Sequence, residues 1–139
     1  MRTIAKMALV LCSLIFIFTC AKNDQSNAHA SGKMELIVIS DFGTKEELIS
    51  KEADTQMVAK TMGSLDWYKF HQVLLEKENK DYIEVGGSLD PGDGLSVLYQ
   101  ENGNQHVIRI PPATVAEMTE ILKSYLLGDG KWKTLNLWD

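Results

Sequence analysis

Apolar positions along this chain fall into distinct rhythms. A nearly unbroken apolar stretch runs from Met7 to Cys20 (MALVLCSLIFIFTC). Polar residues take over at once, and residues 21–33 (AKNDQSNAHASGK) carry no periodicity, the pattern of a flexible tether. Met34-Glu35-Leu36-Ile37-Val38-Ile39 is short, apolar and rich in β-branched residues, which predicts a strand. Asp41-Phe42-Gly43 predicts a turn, and Lys45–Lys51 fits either a second strand or a helical turn. Asp54 stands where it can cap a helix running through Leu65, with Met57, Val58, Thr61, Met62 and Leu65 on one face.

The rhythm then shortens. Lys69–Lys77, Tyr82–Ser88, Leu95–Gln100 and Gln105–Ile110 each predict a strand. Asn102-Gly103 is a hairpin signal of the type I′ kind, so the flanking strands pair antiparallel. Gly86-Gly87 predicts a bulge or a close backbone approach. Pro111-Pro112 ends the sheet. Thr114 and Glu117 then stand at capping-box spacing, and Val115, Met118, Ile121, Leu122, Tyr125 and Leu126 form an apolar helical stripe that Gly128 closes. The tail Lys131–Asp139 alternates as a final edge strand would. Together these elements predict a single α+β domain over residues 34–139, an antiparallel sheet of about four to six strands with two helices packed on one face.

The first apolar stretch has a different meaning. Arg2 and Lys6 precede it, and a charged start, a short apolar run and an abrupt polar turn describe a secretory signal. The run is about 15 residues, shorter than the roughly 20 that cross a bilayer. Two cleavage sites compete. Ile17-Phe18-Thr19-Cys20 resembles the lipobox of bacterial lipoproteins, in which the cysteine is lipidated and becomes the mature N-terminus, although Thr19 departs from the usual small residue. Ala28-His29-Ala30 suits ordinary signal peptidase and would release a soluble periplasmic protein. The expected organisation is a lipoprotein-type signal over residues 1–20, a tether over 21–33 and the domain thereafter, with Cys20 as the lipid attachment site and the membrane reached through that anchor.

Cysteine and charge narrow the picture. Cys12 and Cys20 are the only two cysteines, so the domain has no disulfide framework and must be held by its core. Beyond the signal the chain carries twelve basic and nineteen acidic residues, a net charge of −7. That disfavours nucleic acid, which needs clustered Lys and Arg, and suits either simple solubility or a basic partner met by electrostatic steering.

Candidate chemistry is sparse. His29, His71 and His106 lack metal-ligand spacing, though His71 and His106 sit in different strands and could meet across the sheet. No serine occupies a G-x-S-x-G elbow, and nothing in the pattern implies a cofactor or a metal. The loop Asp90-Pro91-Gly92-Asp93-Gly94 offers two carboxylates. It reads as a turn chosen for its backbone angles, as an acid pair or cation site, or as an acidic knob presented to a partner. Trp67, Tyr68, Phe70, Trp132 and Trp138 read as core, or as interface anchors where they stay exposed.

The stretch from Trp67 to Thr134 resembles small immunity proteins of bacterial polymorphic and contact-delivered toxin systems. The residues that carry the likeness are Tyr82-Ile83-Glu84-Val85-Gly86-Gly87 and Asp93-Gly94-Leu95-Ser96-Val97-Leu98-Tyr99. Pro111-Pro112 before a helix, Gly128-Asp129-Gly130 and a Trp-bearing tail complete it, over about half of the chain. The resemblance implies a non-catalytic protein that binds and blocks a cognate toxin. Joined to an export signal, it implies a toxin acting in the periplasm or envelope. Asp90, Asp93, Tyr99 and Trp132 are the candidate partner-binding residues. The alternative is an envelope lipoprotein with a structural or ligand-binding role and no toxin partner. A third reading, an enzyme, would depend on Asp90 and Asp93.

Overall fold

The computed structural model describes residues 32–139. The expected export signal, Cys20 and all but the last two residues of the expected tether lie outside the described residues, so both cleavage readings do too. Chain order is β1 (Met34–Ser40), a 3-10 turn (Asp41–Gly43), β2 (Lys45–Ser50), α1 (Thr55–Ser64), β3 (His71–Lys77), β4 (Tyr82–Gly87), β5 (Leu95–Glu101), β6 (Asn104–Val107), α2 (Val115–Leu127) and α3 (Lys131–Thr134).

The six strands form one antiparallel sheet in the order β2-β1-β3-β4-β5-β6, an α+β fold. Lys45–Ser50 is a strand, which settles the ambiguity of that segment. Three of its first four residues (Lys45, Glu46, Glu47, Leu48) are charged, which blunts the free edge against further pairing. From β2 the chain passes through α1 and returns to β3 beside β1. The remaining strands follow as a meander. Asn102 and Gly103 take φ of 52° and 80°, the positive pair a type I′ hairpin turn demands.

Alternation in the strands assigns one parity to the core. Met34, Leu36, Val38, Val73, Leu75, Ile83, Val85 and Val97 are buried on the face that α1 and α2 cover. Both helices begin as the sequence predicts. The Asp54 carboxylate accepts from the Met57 amide at 2.7 Å. The Thr114 hydroxyl accepts from the Glu117 amide at 3.2 Å, while the Glu117 carboxylate accepts from the Ala113 amide at 2.9 Å. Val58, Thr61 and Met62 of α1 point inward, whereas Met57 is exposed. From α2, Met118, Ile121, Leu122 and Tyr125 complete the core.

Gly87 is the close approach. Its φ is +118°, and an added Cβ would lie 1.9 Å from the Gly94 carbonyl oxygen. The tail corrects the sequence expectation of a strand over Lys131–Asp139. It first forms the short helix α3 and only then pairs with sheet backbone, at the isolated bridge Ile108↔Trp138. The cause is local. Gly130 turns the chain with φ 74°, and the Asp129 carboxylate accepts from the Lys131 amide, which starts a helical turn where an extended segment was expected.

Candidate functional site

Two surfaces stand out, and the tail builds the first. Gly128 closes α2 in the left-handed conformation. Just beyond it, the Asp129 carboxylate takes hydrogen bonds from the Ser124 hydroxyl and the Lys131 amide, which hold its carboxyl below the usual range. The Ser124 oxygen accepts in turn from the Trp132 amide at 2.8 Å. This small network aims Trp132 at two rings, edge-on to Tyr99 at 5.0 Å and to Tyr125 at 5.1 Å. Trp138 meets Tyr99 edge-on at 4.8 Å, and His106 stacks on Tyr99 at 4.7 Å. Burial, and then the negative charges of Asp81 and Glu101, push the Tyr125 phenol upward. Past Trp132 the Arg109 amide donates to the Leu137 carbonyl at 2.8 Å and the Asp139 amide to the Val107 carbonyl at 3.1 Å, which ties the tail to the β6 edge.

Between this tail and α2 the surface opens into a groove of about 990 Å³. Ile110, Pro112, Ile121, Leu127, Leu135 and Leu137 supply its apolar walls. Leu135 is 79% exposed, Ile110 66% and Leu137 60%, unusually high for branched aliphatic residues standing together. Glu117, Glu120, Lys123 and Lys131 give the groove a rim of both signs.

The second surface is the face of the sheet opposite the helices. Strand register aligns Leu48, Ile37, Leu74, Glu84, Leu98 and Val107 in one row across all six strands. Five of the six are apolar, yet neither α1 nor α2 covers them. Glu84 lies in the middle, half-buried between its neighbours. The Gln72 side-chain amide donates to its carboxylate, but burial outweighs that bond and pushes the Glu84 carboxyl above the ordinary range.

The chain matches no protein-family model, no curated protein and no solved structure.

Of the residues singled out by sequence, Tyr99 and Trp132 are brought together in the aromatic cluster. Tyr99 is only 4% exposed, so it supports the tail from beneath. Trp132 is half-buried and lines the groove. Asp90 and Asp93 lie apart from both, in the exposed β4–β5 loop beyond the opposite end of β5. That loop is a pinned turn. The Asp93 amide donates to the Asp90 carbonyl at 3.1 Å, the Asp90 amide to the Ser88 hydroxyl at 2.9 Å and the Leu89 amide to the Trp67 carbonyl at 2.7 Å.

His71 and His106 do not meet, because β4 and β5 separate their strands. The His71 Nδ1 pairs with the Ser40 hydroxyl at 2.8 Å, and the His106 Nδ1 with the Asp139 carbonyl at 2.7 Å. Among the described residues, no group of three or more His, Cys, Asp or Glu side chains is placed to hold a metal ion.

Neither apolar surface was read from sequence. One signal was there: β1 is apolar at both parities, as a strand with two apolar faces must be. The groove left no comparable trace, since it exists only where the tail folds back on α2.

Proposed function

We propose that this chain is an exported, lipid-anchored immunity protein that binds and neutralises an antibacterial toxin acting in the periplasm or envelope. The observation that carries this reading is the groove beside the tail. Exposed aliphatic residues standing together on a small acidic domain mark a surface built to be covered. The acidic balance of the chain supports a basic partner, and the immunity-protein resemblance supports a toxin. Inhibition of this kind needs contact area and charge complementarity, with no catalytic group on the inhibitor.

The test is genetic. Cells that lack this gene are exposed to the product of a candidate toxin gene adjacent to it. Sensitivity that is restored to resistance by the full chain is the expected result. Unaltered survival after deletion rejects the immunity role.

The volume of the same groove favours a second reading, an envelope lipoprotein that holds a small apolar ligand there. That reading expects an envelope phenotype with every toxin gene removed.

A further inference from the structure

We propose that the open face of the sheet is a second docking surface, made for a cationic amphipathic segment that sets a lysine or arginine against Glu84 between apolar side chains. The inference goes beyond the toxin reading, since it concerns the chemistry of the partner segment whatever protein carries it.

The row Leu48, Ile37, Leu74, Glu84, Leu98, Val107 spans six strands, about 24 Å at the usual strand spacing. The same register puts Ile39 on this face beside Glu46 and Gln72. A sheet with both faces apolar normally has layers on both sides, and here α1 and α2 supply only one.

Charge decides which partner fits. Glu35, Glu46, Glu76 and Glu84 all share the open parity. Lys80 pairs with Glu76 of this face and Arg109 pairs with Asp139. Glu35, Glu46 and Glu84 have no ion-pair partner among the described residues. An acidic or purely apolar partner would bury the Glu84 carboxylate with only the Gln72 hydrogen bond to offset its lost hydration. A basic one would turn it into a charge-assisted hydrogen bond in a partly dry setting, where such bonds are strongest.

Peptide titration of the isotope-labelled chain, followed by NMR, tests this. The probe is a leucine–lysine amphipathic peptide of about 14 residues, which as a helix reaches about 21 Å along the row. A leucine–glutamate peptide of equal length is the control. The lysine peptide is expected to shift the signals of Ile37, Leu74, Glu84 and Leu98, and the glutamate peptide to leave them in place. Glu84→Gln keeps the shape and the Gln72 contact, and is expected to weaken binding about tenfold. Its folding is checked by a melting temperature no lower than that of the parent. Shifts confined to the groove or the helices, equal binding of both peptides, or unchanged affinity in Glu84→Gln would each overturn the proposal. No toxin enters this measurement, so its failure leaves the immunity reading standing, and failure of the immunity reading leaves it intact.

Discussion

Glu84 concentrates the conflict between stability and contact in a single side chain. Its carboxyl is raised above the ordinary glutamate value of 4.5, chiefly by burial, with the Gln72 hydrogen bond acting in the opposite direction. The folded state therefore holds the proton more tightly than the unfolded chain does. The stabilising effect of that proton is fully present below pH 4.5 and is lost as pH rises through the folded value. At neutral pH the ionised group weighs against folding. Glu84→Gln is thus expected to raise the melting temperature at pH 7 and to lose that advantage below pH 4.5, read by thermal unfolding at the two pH values. Gly87 carries a different constraint. Positive φ and the Gly94 carbonyl at 1.9 Å from a built Cβ leave no room for alanine. Gly87→Ala is expected to cost more than about 2 kcal/mol in denaturant unfolding, with β4 and β5 pushed apart at that end.

At the scale of elements, the tail is the part to test. Its helix α3 depends on the Asp129 carboxylate, which is held below 3.8 by the Ser124 hydroxyl first and the Lys131 amide next. A depressed carboxyl supports folding above the unfolded value and loses that support as pH falls through the folded one. Amide-exchange protection at Lys131 and Trp132 is therefore expected to fall as pH drops below 3.8, and Asp129→Asn to lack most of that protection at neutral pH. The elements that were legible in the sequence were those fixed locally. Asp54, the Thr114 and Glu117 pair, Asn102-Gly103 and the alternation of β3 to β5 each specify backbone within a few residues. The tail was misread because its alternation hides the helical turn that Asp129 and Gly130 start, after which Trp132 packs on Tyr99 from a distant strand. The open face needed the register of six strands before Ile37, Leu74 and Leu98 could be seen as one row with Glu84 among them. Of the partner-binding candidates, Trp132 reaches the groove, Tyr99 lies beneath it, and the acidic loop is a separate, well-pinned turn.

At the scale of the domain, two helices satisfy one sheet face, while among the described residues no element covers the other apolar face or the tail groove. A chain with no cysteine beyond Cys20 has no disulfide within the domain, so its buried core must hold the fold. In the proposed reading the export signal takes this domain to where its toxin acts, and the tether gives it reach from the membrane. The groove is then the surface whose loss matters most. Leu135 and Leu137 are solvent-exposed, so lysine at both positions is tolerated by the fold and placed where an apolar partner surface would sit. The most direct measurement is the affinity of the full chain for the proposed toxin, sought among the products of adjacent genes, with and without Leu135→Lys and Leu137→Lys. The account predicts a stable one-to-one complex that the double substitution weakens by about 2 kcal/mol or more at an unchanged melting temperature. A toxin that does not bind the parent chain, or binds the double variant as tightly, would contradict it.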